Sequence, residues 1–380
     1  MIFDTITVIA CLALAVLAVL SLLTDTFFRK VPVNEDEALE TPESQPVSVV
    51  IIADNNADEL RKNLPAFLSQ DYPAGYEIIV AVEKDEDGTE DALKEYGNNP
   101  NLYSTFVPDS SRYMSRRKLA ITLGVKAAKN ERILLTDATC RPASCHWISS
   151  MVRNCGENVR MVIGYGNYTD DAGSFKIFYR FHRGYRLLHE ALHGKAYGMD
   201  GKNLMFSKSM FMAGNGFQGN LKYLRGEYDF LVNKYADEGN VAVELSPESF
   251  IIEEAPTKKE WRNINVFYRE TRRHLSGSLA HRCRFNVDML SFHACLLAST
   301  ASIVFSAIFH YWLILAFSIL ALLSPCISRT YNARKAMRQF GIAIAPWKIV
   351  PFEIRLIWQN LRYAIAYRFS DKYEFISHKS

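Results

Sequence analysis

Carboxylates stand at the ends of apolar runs in this chain, where strand and helix ends could turn them to chemistry. Asp137 follows Ile133 to Leu135, Glu227 and Asp229 precede Phe230, Leu231 and Val232, and two β-branched runs lead into Asp54-Asn55-Asn56 and Glu83-Lys84-Asp85. A strand ending in Asp presents its carboxylate at the carboxyl edge of a sheet, where a divalent cation facing a phosphate would sit. Carboxylates in the first turn of a helix suit proton removal from a hydroxyl, although helix initiation through the macrodipole accounts for the same pattern. His189-Glu190-Ala191-Leu192-His193 is an H-E-x-x-H, which on a helix sets two imidazoles one turn apart for zinc, with Glu190 as general base. Gly194 follows at once and no third ligand is identifiable, so a histidine-bearing helix within Phe175 to His193 is the competing reading.

The elements that must position these groups are legible in the spacing of apolar residues. Val47 to Ile52 and Glu77 to Val82 read as strands, and between them Leu60, Leu64, Phe67 and Leu68 recur at helical intervals. That is a βαβ unit, whose right-handed crossover builds a parallel sheet with ligands outside the carboxyl ends of its strands. Asp54 to Asn56 and Glu83 to Asp85 fall at those ends and suit a nucleotide. The architecture alone names no chemistry.

The order of V-S-V-V-I-I, L-S-Q-D-Y-P and Y-E-I-I-V before an acidic stretch and D-G-T resembles the opening of the family 2 glycosyltransferases. Further segments over 46–275 follow that family's order: Arg117-Lys118-Leu119-Ala120 to Lys129, Ile133 to Thr139 in the place of the strand ending in D-x-D, Gly201-Lys202-Asn203-Leu204 as the G-x-N donor loop, and Gly226-Glu227-Tyr228-Asp229 as the acidic motif. Arg269 to Leu275 is similar to its Q-x-x-R-W element. The resemblance implies a GT-A-type α/β fold with a mixed, mainly parallel sheet, and an inverting, hexosyltransferase-like enzyme that uses a nucleotide diphosphate sugar. It implies Glu227 as catalytic base followed by the acid Asp229, and a nucleotide-sugar site at Asn55, Glu83, Lys118, Asp137, Gly201 and Asn203. Mg²⁺ or Mn²⁺ would sit at Asp137 and Thr139, and Arg273 with His274 would face acceptor or phosphate. The chain departs from the pattern at Thr139, which replaces a second Asp, at Asn56 and Val82 near the expected base and ribose, and at His274, which replaces the Trp. Loss of that Trp favours transfer of single sugars over polymer synthesis.

Composition sets the surroundings. The 380 residues are 49% hydrophobic with a net charge of +3, too small to argue for nucleic acid. Seven cysteines form no C-x-x-C pair, which fits a reducing compartment, and the group Cys140, Cys145, His146 and Cys155 matches no zinc spacing. Ile6 to Leu23 has the length to cross a bilayer core of about 30 Å, and Asp4 stands where a cleaved signal would carry a basic residue. Met289 to Ser328 contains no charged residue and leaves room for two spans turning near His310-Tyr311. Arg29 and Lys30, Arg272, Arg273, Arg282 and Arg284, and Arg329, Arg334, Lys335 and Arg338 flank the spans and read as cytoplasmic.

The expected organisation is an anchor over 1–30, a polar linker over 31–45, a cytoplasmic catalytic domain over 46–275, two spans within 276–328 and an interfacial segment over 329–380. In the last, Ile354, Ile357, Trp358, Leu361 and Ile365 form an apolar stripe opposite Arg355, Gln359 and Arg362. The resulting expectation is a multi-pass protein of the cytoplasmic membrane, in contact with membrane lipids, with a lipid-linked acceptor or a cell-surface glycan precursor as partner. Two other readings stand beside it: an inactive family member serving as a scaffold or binding subunit, and a membrane zinc metalloprotease acting through His189 and His193.

Overall fold

The computed structural model describes residues 5–32, 45–108, 115–156 and 158–376, so most of the expected linker lies outside the described residues. Two compact units emerge: an α/β unit from the described residues of Pro32–Ser276 and Arg362–Ser380, and a helical unit from those of Met1–Val31 and Gly277–Leu361.

Ten strands build the α/β unit: β1 (Val47–Asp54), β2 (Tyr76–Lys84), β3 (Leu102–Phe106), β4 (Arg132–Asp137), β5 (Cys140–Pro142), β6 (Met161–Gly164), β7 (Gly166–Tyr168), β8 (Leu204–Ser207), β9 (Val241–Glu244) and β10 (Ile251–Glu253). Seven form one sheet in the order β3-β2-β1-β4-β8-β6-β9, and β5-β10-β7 form a second. The strands from β3 to β4 are parallel, whereas β8 runs antiparallel to both β4 and β6. The βαβ unit is present, its helix Ala57–Leu68 burying Leu60, Leu64 and Phe67 against the β-branched face of β1 and β2. Trp147 closes this core from the far side, its ring meeting Phe67 edge-on at 5.5 Å between centroids. The sheet is mixed α/β, as the motif order implied.

In the helical unit, Thr5–Thr24, Ser278–Ile308 and Trp312–Gln339 pack through small contacts among Leu14, Ala18, Cys295 and Ala321. The two later helices are long and apolar enough to cross a membrane, and the first carries a shorter apolar stretch, Thr7–Leu23. His310, at φ +60°, makes the turn between the long pair. Along helix Ile349–Phe369, Trp358 and Leu361 are exposed, but Gln359, expected on the polar face, is buried with Leu356. The phase of that helix is set by a buried charge beneath it.

That charge is Arg329, fully buried, with Nη2 2.6 Å from Asp288, Nη1 3.1 Å from Glu353 and a further Nη2 bond to the Ser21 carbonyl. Three helices and the exit of the first are thereby tied to one guanidinium. Removing one partner of a buried ionic group leaves the others without a counter-ion, at about 3–5 kcal/mol. Arg329→Met is therefore expected to lower thermal stability in detergent by that order, and a melting temperature within error of the wild type would show the cluster to be dispensable.

Candidate functional site

The parallel strands deliver their last residues to one edge of the sheet. Asp137 closes β4 in register with Ile52, and Glu83 lies next to the end of β2, beside the bulge where Asp54 pairs with Lys84. Asn55 takes a left-handed conformation (φ +54°), and its side-chain oxygen accepts from Glu86 N at 2.8 Å, closing the loop after β1. Burial pushes the Glu83 carboxyl up to about 7, against the pull of Arg117.

Asp137 is the centre of a buried charge cluster. Its Oδ1 pairs with Arg117, from the first turn of helix Arg116–Ala127, and Lys202 Nζ lies 2.7 Å from its Oδ2. Arg117 also reaches toward Glu227, with Nε 3.7 Å from Oε2. Lys202 further contacts Glu253 Oε1 at 2.9 Å and donates to Thr139 Oγ1 at 3.0 Å. Glu253 comes from β10, which pairs it with Cys140 just beyond Thr139, and Arg180 of helix Ser174–Leu192 holds its other oxygen at 2.5 Å. Burial alone would raise the Glu253 carboxyl, but Arg180 and Lys202 outweigh it and hold it down at about 2.

Glu227 begins helix Glu227–Tyr235, behind Gly226. At Gly226 φ is +91° and an added Cβ would stand 2.3 Å from the Thr271 side chain, so a side chain is barred there on both counts. The Glu227 carboxylate is buried, and among the described residues its Oε1 accepts no hydrogen bond. Asp229, one step inside the same turn, packs against Gly198 and accepts from Met199 N, tying the helix start to the segment that leads to Lys202.

Five expected site residues lie elsewhere or are otherwise occupied. Lys118, expected at the nucleotide, is fully buried: its ammonium donates to the carbonyls of Asn220 (2.7 Å) and Tyr223 (2.5 Å) and lies 4.6 Å from the centre of the Phe230 ring. Its neighbour Arg117 is the cation at the strand ends. Asn203 is likewise buried, donating to Tyr165 O and Ser249 O and accepting from Trp147 Nε1 at 3.0 Å, so it pins the loop from inside. Gly201, at φ +148°, lies against Gly166 and Arg180, where its lack of a side chain lets the loop pass. Asp137 and Thr139, expected to hold Mg²⁺ or Mn²⁺, hold the Lys202 ammonium instead, and as arranged they do not fit a second cation.

The sequence as a whole matches one family, over residues 7–367, nearly its entire length. The chain belongs to glycosyl transferase family 21. The motif order resembled family 2; the family that matches is family 21. Among solved structures, this family 21 chain is similar to the mannosyltransferase PcManGT from Pyrobaculum calidifontis, in complex with GDP-Man and Mn²⁺. That likeness has 17% identity and a TM-score of 0.54, covering 93% of this chain and 98% of that one. It shows the GT-A-like fold. S. aureus TarS 1-349 in complex with UDP-GlcNAc is similar over 78% of this chain and 92% of that one, at 13% identity and a TM-score of 0.44. Comparison with curated protein sequences gives no match.

The remaining motifs of the family 21 chain fall outside the charge cluster. Arg273 Nη1 meets the Tyr367 hydroxyl at 3.3 Å; His274 stacks on Tyr223 with 4.1 Å between ring centres and contacts Glu270 at 3.0 Å. The tyrosine stack occupies His274 at the position where the resembled motif has Trp. His189 and His193 also stack on each other, centroids 4.2 Å apart, and His193 already caps the end of its helix. Among the described residues no group of three His, Cys, Asp or Glu is placed to hold a metal, which leaves the zinc protease reading without a site.

Asp229 gives the site a pH signature. Burial pushes its carboxyl up from 3.8 to about 7, against Arg183. The folded state therefore keeps a proton that the unfolded chain has released, and stability falls as pH rises through that window. Asp229→Asn removes the titration and is expected to gain stability relative to wild type as pH rises from about 4 to about 7, read by thermal unfolding across a pH series. A slope unchanged by the substitution would locate the titration elsewhere.

Proposed function

We propose that this family 21 chain moves a sugar from a nucleotide diphosphate sugar to the hydroxyl of a lipid-linked or cell-surface glycan acceptor, with inversion at the anomeric carbon. The observation that carries the reading is the pairing of Glu227, a buried carboxylate with an oxygen unengaged among the described residues, with the cations Arg117 and Lys202 at the strand ends. Acceptor activation needs the first and the departing diphosphate needs the second. In a single displacement the acceptor oxygen bonds to the anomeric carbon from the face opposite the diphosphate. Its proton passes to Glu227 Oε1, the bond from carbon to the phosphate oxygen breaks, and that electron pair leaves on the diphosphate. Asp229 holds the turn that aims Glu227, and Glu83 and the Asn55 loop flank the nucleotide. Asp137 and Thr139 are engaged by Lys202, so the charge of the departing diphosphate is met by Lys202 and Arg117.

The helices Ser278–Ile308 and Trp312–Gln339 are assigned as membrane spans, with 46–275 as a cytoplasmic catalytic domain, the first helix as an anchor and 329–380 as a cytoplasmic or interfacial segment. The arginine-rich flanks and the exposed Trp347, Trp358 and Phe369 support that topology. A membrane-tethered transferase meets acceptors held in the same bilayer.

Glu227→Gln is expected to lower the transfer rate about 10²- to 10⁴-fold while leaving donor affinity unchanged. An unaltered rate would remove Glu227 from the role of base. A donor at a hundred times its dissociation constant stabilises by about 2.7 kcal/mol. The detergent-solubilised protein is therefore expected to show a rise in melting temperature with one member of a panel of nucleotide sugars. Silence across the panel would leave a binding or scaffold subunit as the better reading.

A further inference from the structure

Lys202 stands where a strand-end carboxylate motif would hold its metal. The ammonium has three oxygen neighbours, Asp137 Oδ2 at 2.7 Å, Glu253 Oε1 at 2.9 Å and Thr139 Oγ1 at 3.0 Å, brought together from both sheets. A divalent ion bound to the same oxygens, at about 2.1 Å from each, would stand against the ammonium with like charge in a site with little water to screen it. The other carboxylate oxygens are also taken, Asp137 Oδ1 by Arg117 and Glu253 Oε2 by Arg180. Thr139 completes the exchange. A neutral hydroxyl where the resembled motif has a second Asp removes one negative charge and accepts one hydrogen bond from the ammonium.

Exposure orders the cluster. The Lys202 side chain is 24% accessible, whereas those of Asp137 and Glu253 are 3% and 8% accessible, so of the three it is the one most open to an anion from solvent. A lysine held by carboxylates is fixed in place yet remains a point charge suited to phosphate.

We propose that Lys202 is the resident counter-ion of the donor site, taking the neutralising part of a divalent ion, so that the nucleotide diphosphate binds and departs without metal. This rests on the donor reading above. In the displacement the electron pair of the breaking carbon–oxygen bond goes to the β-phosphate oxygen. The ammonium meets that charge electrostatically and keeps its proton, while the acceptor proton goes to Glu227.

The test reads metal and nucleotide separately. Mn²⁺ titration followed by electron paramagnetic resonance is expected to show no stoichiometric ion on the wild-type protein, and UDP or GDP binding by calorimetry is expected to be unchanged by EDTA. Lys202→Met uncovers the oxygens and is expected to retain Mn²⁺ at one ion per chain, with nucleotide binding now weakened by EDTA; Lys202→Arg, which keeps the charge, is expected to retain no stoichiometric Mn²⁺. Stoichiometric Mn²⁺ on the wild type that is lost in Asp137→Asn would overturn the proposal, and so would failure of a folded Lys202→Met to gain the ion. Should Lys202→Met not fold, the wild-type titration and Lys202→Arg still decide. If neither UDP nor GDP binds under any condition, the donor reading fails, while the Mn²⁺ titrations still judge the place of Lys202.

Discussion

A carboxylate buried at the end of a strand must be neutralised where it stands, and Asp137 imposes that requirement on everything around it. The sheet fixes its place through the pairing of β4 with β1. Arg117 answers from a helix start and Lys202 from the loop entering β8. Each cation then needs more than one anion to offset its own burial, which draws in Glu227 through Arg117 and Glu253 through Lys202. The chain of compensation ends at Arg180, on a helix that belongs to neither sheet. Segments far apart in sequence are thus locked to one edge by charge balance, and the positions of the reactive groups follow from it.

The helical unit obeys the same rule with the sign reversed. There a single guanidinium, Arg329, is buried and the carboxylates of Asp288 and Glu353 come to it, with the Phe292 ring 4.4 Å from its centre. Apolar helices slide on one another with little preference for register, because small side chains such as Ala18 and Ala321 offer few distinguishing contacts. A buried ion pair supplies that register at the cost of desolvation. Within each unit, one unavoidable charge does more to specify the arrangement than the apolar surface around it.

Much of this was legible in the residues. The β-branched runs on either side of Leu60, Leu64 and Phe67 define the βαβ unit, and a charge-free stretch from Met289 to Ser328 admits only long apolar helices. Asp137 and Glu227 were readable because each ends or begins an apolar run. What escaped depends on phase and contact. Arg117 and Lys118 are adjacent cations on one helix, separated by about 100° around its axis, and nothing in their types says which faces the strands. Lys118 turns inward because the carbonyls of Asn220 and Tyr223 and the Phe230 ring await it, groups about a hundred residues away. Asn203 looked like a ligand contact because a buried amide serving three partners and an exposed amide serving a substrate have the same letter. Glu253 sits on a strand of three residues, too short to show any period.

The pairing of Lys202 with Asp137 is nonetheless a consequence of topology. Parallel strands bring their carboxyl ends to one edge, and an antiparallel neighbour brings its amino end to the same edge. The ladder between β4 and β8 matches Arg132 with Ser207 and Leu135 with Leu204. Continued by two residues, that register sets Asp137 opposite Lys202. The reversal of direction at β8 is therefore what delivers a cation from the loop before one strand to the carboxylate after the other. A parallel strand in that position would have sent the Gly201-Lys202-Asn203 loop to the far edge and left Asp137 with an arginine alone. The metal expected from the motif and the lysine found in its place are two answers to the same excess of negative charge, and strand direction decides which of them the fold can supply from its own chain.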